Sequence, residues 1–260
     1  MAENIIYCYS GSGHCLDMAK KIARIIGDTD IVMMRSFPAV TDASHAKRVG
    51  FIFSCMGGGL PGDVEEYVKA IRIAPDAYRF AVEQYAGYLG CGLRKIDDIV
   101  HLDYWDGISN HSTAIWLMPH VLTFPPTTPN KAQERIDRKA KEIGAAVRLG
   151  RKSEKRPPKG AAFELMSKGI SASHAKRVKS FKANDNCVSC GTCVTVCPRN
   201  NIQLVGGKPS FGTNCIGCLS CVQMCPTAAI DIGNVTRKRE RYPNRQIKAA
   251  ELSEKVIHID

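Results

Sequence analysis

The stretch Tyr7-Cys8-Tyr9-Ser10-Gly11-Ser12-Gly13-His14-Cys15-Leu16-Asp17-Met18-Ala19 (YCYSGSGHCLDMA) decides how the first half of the chain is read. It closes an apolar run over residues 4–9 that reads as a buried strand. It opens a segment with apolar residues at 16, 18, 19, 22, 23, 25 and 26, the spacing of a helix with one wide apolar face. Between the two lies a serine- and glycine-rich turn, residues 10–15. Backbone amides converging at the start of a helix favour an anion, so strand, turn and helix together have the makings of a phosphate cradle. His14 and Cys15 are unusual there, because such a loop more often offers amides and hydroxyls.

Outward from this unit the alternation continues. Residues 30–34 and 48–54 (RVGFIFS) read as strands, and 63–71 as a helix starting after Pro61 and Gly62. Residues 79–84 form another strand, followed by a turn with Gly87, Gly90 and Gly92 and a short helix to about residue 97. The last strand is expected at 101–104 or 114–118, and 131–147 is a terminal helix. Strand and helix in alternation predict an α/β domain over residues 1–149, a doubly wound parallel sheet of five strands.

Residues 150–182 break the pattern with Pro157-Pro158 and many Lys and Arg, and read as a basic linker with one short helix near 163–168. The heptapeptide Ala-Ser-His-Ala-Lys-Arg-Val occurs at 43–49 and at 172–178, but the flanking sequences differ, and we read it as coincidence. A true repeat follows. Cys187-x-x-Cys190-x-x-Cys193-x-x-x-Cys197-Pro198 recurs as Cys215-x-x-Cys218-x-x-Cys221-x-x-x-Cys225-Pro226, each copy leading into a strand-like run at 201–205 or 228–232. Two such halves predict a small domain over 183–235, with a tail at 236–260.

Of the 12 cysteines, eight fall in this repeat. Three thiolates at i, i+3 and i+6 wrap one 4Fe–4S cubane, while the fourth, ahead of Pro, reaches the other cluster. The spacing implies Cys187, Cys190, Cys193 and Cys225 for one cluster, and Cys215, Cys218, Cys221 and Cys197 for the other. Zinc sites draw instead on separated Cys or Cys/His pairs and need neither the third Cys nor the Cys-Pro. A disulfide framework belongs to short secreted chains, and nothing at the N-terminus reads as a signal peptide, so a cytoplasmic location is expected.

The hydrophobic fraction is 44% and the charged fraction 23%, ordinary for a globular protein. No apolar run reaches the ~18–20 residues of a membrane span. The net charge of +11 is localised: −1 over residues 1–147, +9 over 148–182, 0 over 183–235 and +3 over 236–260. No aromatic interleaving or nucleic-acid motif accompanies the lysines, so a solvated or partner-facing linker is expected, in preference to a nucleic-acid site or one for an acidic membrane surface. Such a linker would steer an acidic redox partner.

The cysteine repeat resembles that of bacterial two-cluster ferredoxins, over residues 184–235. With that neighbour in view, the first half resembles flavodoxin. The resemblance implies FMN, with its phosphate on Ser10, Gly11, Ser12, Gly13, His14 and Cys15. It implies the ring between a loop containing Cys55, Met56, Gly57 and Gly58 and a loop containing Gly87, Tyr88 and Gly90. Tyr88 would stack on the ring and Met56 contact its other face, while Trp105 and Trp116 read as core residues. His14 and Cys15 depart from the family's Asn and Thr, and a protonated His14 would compensate for the missing hydroxyl. The order of domains resembles the EFR-type flavodoxin–ferredoxin fusions of anaerobic microbes, a likeness that extends to Met118-Pro119 and to Arg241-Tyr242-Pro243-Asn244.

This resemblance implies an electron carrier that relays electrons between FMN, two 4Fe–4S clusters and a redox partner protein. Two alternatives stand beside it: a flavin-dependent reductase of a small molecule fed by the clusters, and a cluster-only carrier with an empty flavin site. Cys15, Cys55 and Cys91 each fall in one flavin loop, where they read as small residues filling tight turns, with a thiol or metal site that includes His14 as the alternative.

Overall fold

The structure is a computed structural model, and it describes residues 2–35, 41–61, 64–115, 128–160 and 180–260. Five parallel strands form the centre of the sheet: β1 (Asn4–Cys8), β2 (Thr29–Met33), β4 (Arg48–Ser54), β6 (Tyr78–Tyr85) and β7 (Tyr104–Ser109). Their spatial order is β2-β1-β4-β6-β7, and β3 (Asp42–Ala43) pairs with β5 (Arg72–Ile73) in a separate two-residue ladder. With that ladder set aside, this is the 2-1-3-4-5 order of a flavodoxin-like sheet. Every residue of β1 is buried, as a central parallel strand covered on both faces requires.

Helices cover both faces. Helix α1 (His14–Ile26) and helix α4 (Pro129–Arg148) share one core with Ile6, Cys8, Ile31 and Ile52; Leu16, Met18, Ala19 and Ile22 of α1 are fully buried in it. Helix α4 starts at Thr128, whose side chain accepts from the Lys131 amide at 3.3 Å, with Pro129 at the first helical position. Helices α2 (Val64–Lys69) and α3 (Gly92–Val100) contribute Val64, Tyr67, Val68, Leu93 and Ile96 to the core on the other face.

Three expectations change. The last parallel strand lies at Tyr104–Ser109, between the two segments expected from the sequence; the second of those, with Trp116 and Met118-Pro119, falls largely outside the described residues. Among the described residues this strand pairs only with β6, and it is half-exposed over most of its length, so Asp106 and Gly107 are tolerated and its apolar pattern is weak. Second, the tail is part of the sheet. Its strand β12 (Val256–Ile259) adds antiparallel to β2 and makes six strands in all, pairing Val256 with Val32 and Ile259 with Thr29.

Third, the start of the linker is strapped to the domain. The Trp105 indole donates to the Lys155 carbonyl at 2.7 Å, and the Ser153 amide to the Asp103 carbonyl at 2.8 Å. Arg156 pairs with Asp97 at 2.6 Å and Lys152 with Asp103 at 2.8 Å, so these two cations have partners within the fold. The short helix expected near 163–168 lies outside the described residues.

The C-terminal domain carries β8 (Phe181–Ala183), helix α5 (Thr192–Val196), the hairpin β9 (Ile202–Val205) and β10 (Lys208–Phe211), helix α6 (Ser220–Gln223) and β11 (Ile230–Ile232). Strands β8 and β11 pair antiparallel and bring its two ends together. It docks on the strand ends of the α/β domain. Val196, with Ile247 and Leu252 of the tail, joins the α1–α4 core, while Ile216 and Cys218 pack on the opposite core. Arg35, just after β2, donates to the carbonyls of Thr195 (3.1 Å), Cys197 (3.0 Å) and Leu252. No helix among the described residues is long and apolar enough to cross a membrane.

Arg35 thus ties both later segments to the sheet. Arg35→Met is expected to cost about 1.5–3 kcal/mol, the range for hydrogen bonds to a charged group. Anaerobic urea unfolding checks this; an unchanged midpoint would mean the docking does not depend on Arg35.

Candidate functional site

The eight repeat cysteines fall around two cavities. One is lined by Cys187, Cys190, Cys193 and Cys225, together with Gly191 and Ile230. The other is lined by Cys197, Cys215, Cys218 and Cys221, with Pro198, Ile202 and Phe211 among the remaining residues. Each half of the repeat therefore gives three thiols to one cavity and its Cys-Pro thiol to the other. Backbone amides turn toward the sulfurs: Asn201 N lies 3.3 Å from Cys197 Sγ, Ala229 N 3.2 Å from Cys225 Sγ and Gly217 N 3.4 Å from Cys215 Sγ. Four thiols with amide donors in a largely apolar hollow suit an iron–sulfur cluster, whose sulfurs carry negative charge.

The two cavities differ in surroundings. Cys190 is exposed, and the Thr192 hydroxyl beside it holds its pKa down. Cys221 is buried, and burial pushes its thiol well up. Cys218 lies against the α/β domain, where burial pushes its thiol up, with the Ser220 hydroxyl 3.2 Å from its sulfur.

The loop over residues 10–15 leads from β1 into α1. A Cβ at Gly11 would stand 2.5 Å from the Cys218 carbonyl oxygen, so only glycine admits this approach. Ser10 Oγ accepts from the Leu16 amide at 3.3 Å. The far side of the loop is lined by the tail: the Asn244 amide donates to the Ser12 carbonyl at 2.8 Å, and the side chains of Asn244 and Ile247 pack against Gly13. His14 is buried, with Nδ1 3.0 Å from Ser12 Oγ, and its ring lies 4.6 Å from that of Tyr242, which in turn meets His111 at 4.7 Å. Burial pushes the His14 pKa down to about 4. The loop keeps its serines, its amides and the opening of a 13-residue helix, the features an anion needs.

The two other loops lie beside each other. Met56 and Gly59 exchange hydrogen bonds at 3.0 and 3.1 Å across a turn in which Gly57 and Gly58 take φ of 61° and 92°, a left-handed conformation open to glycine. The Cys91 amide donates to the Gly58 carbonyl at 2.9 Å and joins the second loop to the first. Gly87 is half-buried and Gly90 buried, while Tyr88 is exposed at the surface beside Cys55. Met56, Leu60 and Leu89 pack on the same core as Ile216 and Cys218.

Sequence reasoning passed over Glu83, which is fully buried on β6 beneath both loops. Its carboxyl accepts from the Leu93 amide at 3.1 Å and also faces the Cys55 thiol and the Gly90 amide. Burial pushes its pKa up to about 7. Its charge acts on Cys15 as well as Cys55, and both thiols are pushed up, chiefly by burial. Cys15 and Cys55 thus lie near Glu83 and Cys91 beside Cys55, while the His14 ring is taken up by Ser12 and Tyr242. Among the described residues His14 forms no metal-binding group with these cysteines. A lone Glu in a strand gives no motif, and only the fold places it under the loops.

With this geometry in hand, comparison with known proteins is informative for one domain. Residues 179–226 match the family model of a 4Fe-4S dicluster domain. The C-terminal domain is therefore a 4Fe-4S dicluster domain. Among solved structures the α/β part is similar to an azoreductase from Bacillus anthracis str. Sterne, at 9% identity and a TM-score of 0.39, over 57% of this chain and 100% of that chain. It is also similar to an FMN-dependent NADH-azoreductase from Bacillus anthracis str. Ames Ancestor in complex with FMN, at 8% identity and a TM-score of 0.37, over 55% of this chain and 97% of that one. No curated protein matches the chain.

The Glu83 carboxyl has a pH signature. Folded, it keeps its proton up to about pH 7, while the unfolded carboxyl loses it near 4.5, so the native state holds the extra proton in that window. Stability is then expected to fall as pH rises from about 4.5 to 7, by up to about 3 kcal/mol. Glu83→Gln removes that slope, measured as unfolding free energy against pH; an equal slope in the variant would assign it to another group.

Proposed function

We propose that this chain relays electrons between an FMN in its α/β domain, two 4Fe–4S clusters in its C-terminal domain and an external redox partner. The observation that carries the reading is the seat of Cys218. Its carbonyl lies 2.5 Å from where a Cβ of residue 11 would stand, and its side chain packs on the core that contains Tyr9. One residue therefore belongs both to a cluster-type thiol set and to the wall of the phosphate-type loop. In an open α/β sheet that wall, at the carboxyl ends of the strands, is where ligands bind.

FMN, when bound, exchanges one or two electrons, whereas each cluster passes one at a time. In this reading the amides of residues 11–15 with Ser10 and Ser12 hold the phosphate, and Met56 and Tyr88 border the ring. Cys187, Cys190, Cys193 and Cys225 hold one cluster, and Cys197, Cys215, Cys218 and Cys221 the other. The amides of Asn201, Gly217 and Ala229 stabilise negative charge on the sulfurs and raise the potentials. Met56, Leu60 and Ile216 keep water from the junction. The resemblance to EFR-type fusions supports this order of parts.

A second reading, reduction of a small molecule, is favoured by a cleft of about 950 Å³. His14, His111, Gln133, Tyr242, Arg245 and Cys225 line it, so it opens beside a thiol of the first set. Turnover of a small acceptor with only a ferredoxin-type donor present would favour that reading.

Anaerobic purification is expected to yield about eight irons, matching sulfide and one FMN per chain. Eight irons without flavin would leave a cluster-only carrier. Gly11→Val is expected to keep the iron but displace the Cys218 loop and slow flavin-to-cluster exchange in stopped-flow absorbance. An unchanged rate would show that the Gly11 approach does not govern the transfer.

A further inference from the structure

The longest helix, α4, begins at a cleft. Thr128, Pro129 and Asn130 at its start line the cavity of about 950 Å³ that also opens on His14 and Cys225. A helix of 20 residues carries partial positive charge at its first turn, and that turn of α4 holds no acid to cancel it. The volume lies within the roughly 300–1,000 Å³ of small-molecule sites.

The side chains around the cleft indicate what it would hold. His14 is only 4% exposed, and Ser12 Oγ lies 3.0 Å from its Nδ1. Its Nε2 has no hydrogen-bond partner among the described residues, which leaves a buried ring nitrogen at the cleft. With the Ser12 hydroxyl donating to Nδ1, the ring proton sits on Nε2 and is offered to a ligand. Arg245, exposed on the tail, makes no ion pair or hydrogen bond among the described residues. Arg239 gives one donor to the Ile115 carbonyl and keeps the rest of its guanidinium fork. Arg241 is committed to Asp231 at 3.0 Å, and the one acid among the described lining residues, Glu240, is exposed. The frame behind these groups is fixed. Tyr242 packs against the rings of His14 and His111, its hydroxyl donates to the Pro129 carbonyl at 3.2 Å, and its amide donates to Gln223 Oε1 at 2.7 Å.

We propose that this cleft binds a small molecule through an oxyanionic group, phosphate or carboxylate, taken by His14 Nε2, the guanidinium groups of Arg245 and Arg239, and the start of α4. This rests on the second reading, reduction of a small molecule, and names the class of acceptor. A molecule held there lies beside Cys225. Each transfer oxidises the first cluster and reduces the acceptor by one electron, and an external ferredoxin-type donor re-reduces the cluster. The site uses the His14 ring and the tail, not the loop amides given to the flavin phosphate.

The test uses the full chain as purified anaerobically, titrated by calorimetry with inorganic pyrophosphate in one arm and citrate in the other. Saturable binding is expected, and the tighter probe tells phosphate from carboxylate. The negative charge of the probe beside Cys225 is expected to lower the reduction potential of one cluster more than that of the other. Arg245→Ala, and His14→Asn, which keeps a group for Ser12, are each expected to weaken binding at least about tenfold. Arg237→Ala, at an exposed tail cation outside the cleft lining, is expected to leave it unchanged. Iron and flavin content of Arg245→Ala should match the parent. Binding of neither probe, parental affinity in Arg245→Ala, or release of flavin by the probe would overturn the site, the last because the probe would then be taking the flavin phosphate's place. The second reading fails separately, if a probe binds but no phosphate- or carboxylate-bearing acceptor is turned over. Turnover of a neutral acceptor at a rate that Arg245→Ala does not change would keep that reading and remove the site.

Discussion

The junction of the two domains depends on the absence of a side chain at residue 11. It lets the backbone of Cys218 approach the loop between β1 and α1 to a distance that any Cβ would close. The surrounding contacts follow from that approach. Cys218 and Ile216 join the core that contains Tyr9, with Met56 and Leu60; Arg35 spans from the end of β2 to the carbonyls of Thr195 and Cys197. A dicluster domain joined by a flexible segment alone would sample many positions, and its thiols would meet the flavin-type loops only in passing. Here backbone packing and a half-buried guanidinium hold one thiol set against those loops and leave the other facing out.

The tail completes this arrangement. β12 covers the edge of β2, which would otherwise present unpaired backbone groups. Farther up the tail, Asn244 binds the Ser12 carbonyl through its amide and Asp17 through its side chain, and Tyr242 covers His14. Lys21 connects Asp17 with Asp137 of α4, both at 2.6 Å, so helices and tail share one polar cluster beneath the phosphate-type loop. The conformation of that loop is thus coupled to a segment more than two hundred residues away in sequence. Any anion that binds there meets a wall made by the tail and not open solvent.

Much of this was legible beforehand because it rests on local pattern. β1 and β4 lie where apolar β-branched and aromatic runs place them, and α1 and α4 where a 3.6-residue apolar period does. β7 was misplaced because an edge strand with one neighbour tolerates Asp106 and Gly107, which dilute the signal. β12 was missed because four alternating residues, Val256-Ile257-His258-Ile259, carry little weight until a partner edge is known. Glu83 was passed over because a buried carboxyl announces itself by what surrounds it, and those neighbours, Cys15, Cys55 and Leu93, come from three separate segments.

The sequence by itself determined the chemistry of the C-terminal domain and the parallel α/β core of the other. Ligand spacing and side-chain periodicity are properties of adjacent residues, and covalent geometry carries them into space. Only the tertiary structure decided which thiol set faces inward, that His14 is buried, and that the tail belongs to the sheet. Each of these depends on burial and on contacts between distant segments, which no local pattern encodes.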